Sequence, residues 1–275
     1  METLDEFRLC HPYVDSITTP RLYRFKSIRG SEDQHLEDFF LRGKLYHPTP
    51  FQLNDPFECR PHFVRPVGQL DNLTLRKHLA HLLRSEQGLS RPESSKLAHK
   101  LLHDPKALTG VVIRGAATTY GALRLCCFTN SKDNLLLWAH YGDSHKGMCL
   151  EFDSALQPIS YARKVVYQDK YPTAQFPASN DDRVIKPALI KSKNWAYEEE
   201  YRIIFTPDCG VRAPNDGKSL YLEPSALTAI YFGACATESE KDRILQFVDR
   251  GIFNPMIYDS QLAVSTFSLQ FKARP

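Results

Sequence analysis

The stretch that most constrains the fold is Asn194-Trp-Ala-Tyr-Glu-Glu-Glu-Tyr-Arg-Ile-Ile-Phe205, where three carboxylates run straight into an aromatic and β-branched strand signal. On a strand, side chains alternate with period two, so Glu198, Glu200 and Arg202 are expected on one face and Glu199 on the other. Two carboxylates roughly 7 Å apart on that face repel each other unless a group outside the triplet uses them. The plain alternative is a solvated helix end or edge strand whose charges discourage aggregation. A second block, Leu135 to Asp153, is equally dense in polar aromatics. Together the two blocks point to a site rather than to a purely structural sheet, without naming its chemistry.

The 275 residues suffice for one large domain with a real core, and the apolar share of 42% is that of a globular protein. Thirty-five basic residues against 32 acidic ones leave a net charge of +3, so no strong nucleic-acid footprint is expected and a small polar partner is the better default. Cys10, Cys59, Cys126, Cys127, Cys149, Cys209 and Cys235 form no CxxC pair, which predicts reduced thiols in a cytoplasmic protein and argues against a zinc ribbon. The acidic N-terminus has no apolar stretch behind it, so no signal peptide is expected, and no window is apolar enough to span a membrane.

Along the chain, Arg21–Lys26 predicts a first strand, Gln34–Arg42 a helix ended by Gly43, and Lys44–His47 a second strand. Pro48, Pro50 and Pro56 with the Asn54-Asp55-Pro56 step predict an ordered loop. Residues 70–120 predict an inserted helical subdomain within a single domain, and 123–129 a buried strand. A helical turn at Asn134–Tyr141, strands at 147–153 and 164–167, a loop over 168–182 and a helix at 184–192 follow. Strands near 220 and 227–233, a helix from Glu238 to Arg250 and two final strands close the chain. The class is α+β: a mostly antiparallel, strongly bent or split sheet flanked by helices.

Trp138, His140, Tyr141, His145 and Lys146 fall within nine positions, a density suited to stacking a flat ring and binding phosphate. Trp138 and Tyr141, three apart on a helical turn, fit core aromatics with polar tips equally well. His140, His145 and Cys149 lack metal-ligand spacing, so no metal site is expected there. Cys126, Cys127 and Cys149 read as buried thiols. Asn54 and Asp55 cap their loop in the plain reading. Arg24 is a candidate to bind an anion or to pair with Glu198 or Glu200.

Leu22-Tyr-Arg-Phe, Asn54-Asp-Pro-Phe-Glu, Leu137-Trp-Ala-His-Tyr with His145-Lys-Gly, and Trp195-x-Tyr-Glu-x-Glu-Tyr-Arg occur in this order, with Ile230-Tyr-Phe-Gly as a weaker fifth block. In these blocks the chain resembles the bacterial domain-of-unknown-function 2971 proteins, a family that implies no activity. The order of elements also looks like the ADP-ribosyltransferase superfamily, DarT-type enzymes included, although the Ser-Thr-Ser middle motif is missing and Phe128-Thr-Asn-Ser is a loose substitute. This second resemblance implies NAD as cofactor, Glu200 as the carboxylate that steadies charge as nicotinamide leaves, and Glu198 as its assistant. It further implies Arg24 on the cofactor's phosphate or ribose and Tyr46 or His47 facing the nicotinamide. Asn54, His140, Tyr141, His145, Lys146, Trp138 and Arg202 complete the expected binding set.

The leading expectation is therefore a cytoplasmic bacterial enzyme acting on a nucleotide, by ADP-ribosyl transfer to an unknown macromolecular acceptor or by NAD cleavage, in a toxin or phage-defence setting. One rival is a metal-dependent nuclease or phosphoesterase, with Asp55, Glu198 and Glu200 around a divalent ion and Lys193 or His140 on phosphate. The other is a nucleotide-binding sensor without catalysis.

Overall fold

The computed structural model describes residues 3–29, 33–60, 62–64, 72–175, 182–205 and 217–274. In chain order the elements are α1 (Leu4–Cys10), β1 (Arg21–Lys26), α2 (Asp33–Arg42), β2 (Lys44–Tyr46), β3 (His62–Val64), α3 (Asn72–Gln87), α4 (Arg91–Leu102) and α5 (Pro105–Gly121). There follow β4 (Arg124–Thr129), α6 (Leu135–His140), β5 (Met148–Asp153), β6 (Arg163–Lys164), β7 (Val166–Gln168), β8 (Thr173–Gln175), β9 (Ile190–Ser192) and β10 (Glu200–Phe205). The last are β11 (Ser219–Tyr221), β12 (Leu227–Phe232), α7 (Glu238–Asp249), β13 (Met256–Leu262) and β14 (Leu269–Ala273).

Local chemistry sets the ends of these elements. Thr3 and Glu6 form a reciprocal capping box on α1, Ser90 and Glu93 another on α4, and Thr237 and Glu240 a third on α7. The chain's first helix was not expected, although Thr3-x-x-Glu6 carries its signal. Gly43 ends α2 at φ +66°, and a Cβ there would meet the Leu222 carbonyl oxygen at 2.7 Å, so the turn into β2 requires glycine.

Eight strands form one sheet in the order β14-β13-β12-β5-β1-β4-β10-β6, antiparallel throughout except between β12 and β13. The architecture is α+β with a mostly antiparallel sheet, and the sheet is split. Six residue pairs join β1 to β5 and six join β10 to β4, but only Tyr23 and Thr129 pair across β1 and β4. The five-strand half and the three-strand half therefore part at β1 and β4, and the candidate site occupies the cleft.

The two faces carry separate cores. Leu22, Phe128, Leu150, Phe152, Ile203 and Ile230 pack with Leu36, Phe39 and Phe40 of α2 and Ile244 of α7. On the opposite side, Phe25, Cys149 and Tyr231 pack with Leu137 and Trp138 of α6. The helices α3, α4 and α5 share a core of their own, built on Leu75, Leu79, Leu83, Ala98, Leu101 and Val111, as the inserted helical segment predicted; its first two residues, 70 and 71, lie outside the described residues.

Some boundaries differ from the expectations. The expected strand at 164–167 is two short strands in different sheets, since β6 pairs with β10 while β7 pairs with β9. The expected helix at 184–192 is a 3-10 segment, Asp182–Leu189, followed by β9. Pro187 has no N–H to donate to a longer α-helix. Within the loop expected over 168–182, residues 168 and 173–175 belong to β7 and β8, while 176–181 lie outside the described residues, as does Cys209. Among the described residues no helix is long and apolar enough to cross a membrane.

Candidate functional site

Only the second half of the opening motif is a strand. Lys193–Glu198 is a 3-10 turn, Glu199 adopts the left-handed conformation at φ 46° and ψ 51°, and β10 begins at Glu200. The period-two argument therefore fails for Glu198. The convergence it predicted nevertheless occurs, because the left-handed residue turns the chain so that Glu198 and Glu200 are both buried while Glu199 is exposed.

What the carboxylates meet is Lys191 of β9. Its Nζ lies 2.6 Å from Glu198 Oε2, 3.1 Å from Glu58 Oε1 and 3.4 Å from Glu200 Oε2. Arg202 grips Glu200 with both edges, Nε to Oε1 at 2.8 Å and Nη2 to Oε2 at 2.9 Å, and also reaches Glu58 and the Ala188 carbonyl. All five side chains are at most 5% exposed. Three carboxylates thus face two cations, and one negative charge is left in excess. Burial alone would raise the Glu200 carboxyl, but Arg202 and Lys191 beside it outweigh burial and hold it at about 2. Glu198 goes the other way: burial and then the charge of Glu200 raise it, and Lys191 and Tyr141 offset this only in part.

Tyr141, the residue that follows α6, donates to Glu198 Oε1 at 2.7 Å and accepts from Asn54 Nδ2 at 3.1 Å. Asn134 fixes this geometry. Its Oδ1 accepts from the Leu136 and Leu137 amides to start α6, and its Nδ2 donates to the Tyr197 carbonyl at 2.6 Å, tying the helix to the turn that carries Glu198. Burial raises the Tyr141 hydroxyl, so it stays a donor. The backbone amide of Glu200 donates to the Tyr167 hydroxyl at 2.8 Å.

This network floors a cavity of about 290 Å³ in the sheet cleft, walled by Tyr23, Arg24 and Phe25 of β1 and by Cys127, Phe128 and Thr129 of β4. Arg24 pairs with neither Glu198 nor Glu200. Its Nη1 donates to Cys126 Sγ at 2.6 Å and to the Cys127 carbonyl at 3.1 Å, and it has no carboxylate partner among the described residues. Burial pushes the thiols of Cys126, Cys127 and Cys149 up, so they stay neutral. Asn54, Glu58 and Lys191 also border a second, larger cavity of about 680 Å³ that holds His140, Trp195 and Tyr197. There His140 Nδ1 lies 3.0 Å from the Tyr197 hydroxyl, and the Trp195 ring stands 4.9 Å from Lys191 Nζ.

Of the expected site residues, Arg24, Asn54, Tyr141, Glu198, Glu200 and Arg202 meet in the cleft, and His140 lies in the adjoining cavity. Tyr46 lines a further cavity beside Arg24, with its ring stacked on His35. His47 is fully buried against Phe205 with Nδ1 at 2.8 Å from the Leu45 carbonyl, and it lines none of these cavities. Burial lowers it to about 3, so it is neutral. Trp138 is a core residue, fully buried edge-on to Phe25 and donating to the Lys132 carbonyl. His145 stacks on Trp138, and neither it nor Lys146 borders the cleft or the His140 cavity.

Of the nuclease set, Asp55 accepts from the Phe57 amide in its own loop and shares a cavity with His140, Lys193 pairs with Asp169, and Glu198 and Glu200 are already paired with Lys191 and Arg202. Among the described residues no three His, Cys, Asp or Glu side chains are placed to hold a metal ion. The sequence reading missed Glu58 and Lys191. Glu58 lay in plain view as the last residue of the Asn54-Asp-Pro-Phe-Glu block. The signal for Lys191 was the unbalanced carboxylate pair, which demanded a buried cation beyond Arg202.

Residues 137–203 match the family model described as a protein of unknown function (DUF2971), which bears out the family resemblance over that stretch. The match runs from α6 to β10 and includes Tyr141, Lys191, Glu198, Glu200 and Arg202. No curated protein and no solved structure matches the chain.

Proposed function

We propose that the chain is an enzyme acting on a nucleotide, cleaving or transferring at a ribosyl carbon in the cleft between β1 and β4, with NAD as the dinucleotide to test first. The observation that carries this reading is Glu198. It is a buried carboxylate held in one orientation by Tyr141 at 2.7 Å and Lys191 at 2.6 Å, on the floor of a cavity whose wall carries Arg24 with no carboxylate partner among the described residues.

Each oxygen of Glu198 receives one hydrogen bond and keeps a second lone pair. A fixed carboxylate of this kind favours a transition state in which positive charge grows on a sugar carbon over a ground state without that charge. Glu200 is the less suited carboxylate, because Arg202 grips both of its oxygens and Lys191 reaches it as well, so its charge is spent on holding Lys191 and Arg202 in register with Glu198. Tyr141 is a positioning residue in turn positioned by Asn54. Arg24 offers its remaining N–H groups to a phosphate or a ribose hydroxyl. The chemistry of the donor set fits a dinucleotide. Two cavities meet at Asn54, Glu58 and Lys191, one lined by a cation and a carboxylate, the other rich in aromatic rings that stack on a flat base.

Incubation with NAD and chromatographic detection of nicotinamide tests the reading. Wild-type protein is expected to release nicotinamide, and Glu198→Gln to reduce release by at least 100-fold, roughly the scale of a lost charge-stabilising group. If wild-type protein released none with protein, DNA or water as acceptor, and NAD did not raise its melting temperature, the reading would be abandoned.

A further inference from the structure

The net charge of +3 conceals an uneven distribution. Residues 72–121, which form α3, α4 and α5, carry eight Lys or Arg against three Asp or Glu, so the rest of the chain is slightly acidic. The helices order this excess. On α3, Lys77, His81 and Arg84 follow the i, i+4, i+7 spacing of one helical face, opposite the buried Leu75, Leu79 and Leu83. On α4, Lys96, His99, Lys100 and His103 share a face opposite the buried Ala98 and Leu101, and the two imidazoles stand 5.2 Å apart between centroids. All of these basic side chains are exposed except Arg84, which is half-buried. The segment's carboxylates are engaged or turned away: Glu93 caps α4 with Ser90, Asp104 accepts from the Ala107 amide at 3.0 Å, and Glu86 lies toward α5 at Gly115. Among the described residues, Lys77, Arg84, Lys96 and Lys100 make no ion pair.

Because α3 and α4 pack on a shared apolar core, the two basic rows are carried by neighbouring helices of fixed geometry. Each row runs about 10 Å at the helical rise, the length of about three successive phosphates along one strand of a nucleic acid. Unpaired cations spaced in this way displace the counterions condensed on such a polyanion, and that release drives binding. A membrane surface fits less well. A helix lying in a lipid interface needs large apolar side chains beside its cations, and among the described residues from 72 to 103 Leu73 is the only large apolar side chain left exposed. We infer that the α3–α4 hairpin is a docking surface for nucleic acid. It grips the phosphate backbone and places no demand on base sequence, since lysine rows on a convex surface meet phosphates rather than base edges. The hairpin stands on a core separate from those of the sheet, so docking there is independent of the chemistry proposed for the cleft.

Fluorescence anisotropy with a labelled DNA duplex of about 20 base pairs, and with an RNA duplex of the same length, tests this at about 50 mM salt, where phosphate contacts are strong. Wild-type protein is expected to bind at least one of the two, with log affinity falling against log salt at a slope of roughly −3.6 when all four cations meet phosphate. Lys96→Glu/Lys100→Glu is expected to lose at least tenfold in affinity and to flatten that slope by about 2. Lys164→Glu/Lys272→Glu makes the same charge change at exposed lysines outside the insertion and is expected to stay within about twofold of wild type. Far-UV circular dichroism confirms that both double variants are folded. No binding by wild-type protein, equal losses in the two double variants, or tighter binding to phosphatidylserine vesicles than to either duplex overturns the surface. Duplex binding lost only in Lys96→Glu/Lys100→Glu upholds it, whether or not the protein releases nicotinamide.

Discussion

Replacing Lys191 by methionine is the sharpest test of how the site is held together. The substitution keeps the unbranched stem and removes the charge, leaving Glu58, Glu198 and Glu200 facing Arg202 alone, so the network's excess of one negative charge becomes two. Because the lysine and its three partners are 2–5% exposed, the magnitude for a broken buried pair applies, about 3–5 kcal/mol, rather than the few tenths of a surface pair. That is a large share of a folding free energy of about 5–15 kcal/mol, and it corresponds to a fall in melting temperature on the order of 10 °C. The loss must also depend on pH. Burial and Glu200 raise the Glu198 carboxyl above its ordinary value of 4.5 in the folded chain, and losing Lys191 raises it further. A group whose folded pKa is raised contributes stability that is complete below the unfolded value and is lost as pH rises through the folded one. Lys191→Met is therefore expected to be most destabilised in mildly alkaline buffer and partly recovered in mildly acidic buffer, as Glu198 takes up a proton. Urea denaturation followed by tryptophan fluorescence at both pH values measures this directly. A loss below about 1 kcal/mol, or one identical at the two pH values, would refute the claim that Lys191 neutralises these carboxylates.

Glu200→Gln is expected to cost about 3–5 kcal/mol in urea denaturation, because it leaves Arg202 buried beside a neutral amide, whereas Glu198→Gln removes turnover with a much smaller loss. Glu200 itself, held at about 2 against 4.5 when unfolded, contributes stability present above about pH 4.5 and lost as pH falls toward 2, and the acid-unfolding midpoint of Glu200→Gln should lose that component. Nicotinamide release is expected to rise with pH through a midpoint above 4.5, as Glu198 ionises. At Glu199, left-handed at φ 46°, glycine is expected to be neutral or slightly stabilising in thermal melts and valine to cost about 1–2 kcal/mol.

Most of the strands and helices were legible because their signals are local. Arg21–Lys26 and Lys44–Tyr46 set leucine and aromatic residues beside charged ones, Leu227–Phe232 carries a β-branched and aromatic run, and Gly43 ends its helix where only a positive φ serves. The failures share a cause in tertiary contacts. Glu198 left the strand because Glu199 adopts a backbone conformation that no period-two pattern encodes. The aromatic cluster at 138–146 divided for a similar reason. Trp138 and Tyr141 lie three positions apart, yet one fills the core under β1 while the other turns to Glu198, and the sequence holds no mark that separates them. Asp143, Ser144 and His145 all have positive φ, a turn fixed by the packing of Gly233 and Gly147 against it, and this is what carries His145 and Lys146 away from the cleft. Arg24 was recognised as a candidate, but its partners, the Cys126 thiol and a carbonyl, follow from the strand order β1-β4-β10 rather than from spacing.

The split sheet and the ion network explain each other. With a single residue pair joining β1 to β4, backbone hydrogen bonding does little to hold the two halves of the sheet at a fixed separation. Side chains must do it. Glu58 comes from the loop after β2, Lys191 from β9, Glu198 from the turn before β10, and Glu200 with Arg202 from β10 itself, so the network clamps one side of the cleft from four directions. Tyr141 and Asn54 extend the clamp to α6 and to the loop at the cleft's mouth. Buried ion pairs are a poor source of net stability, because desolvation offsets most of their attraction, so an apolar core of the same volume would serve folding as well. What apolar packing would not supply is a carboxylate with free lone pairs held within one orientation at the cleft floor. On the function proposed above, the physical reason to tolerate five charged groups in the interior is to fix Glu198, and with it the polarity of the space that Arg24 faces.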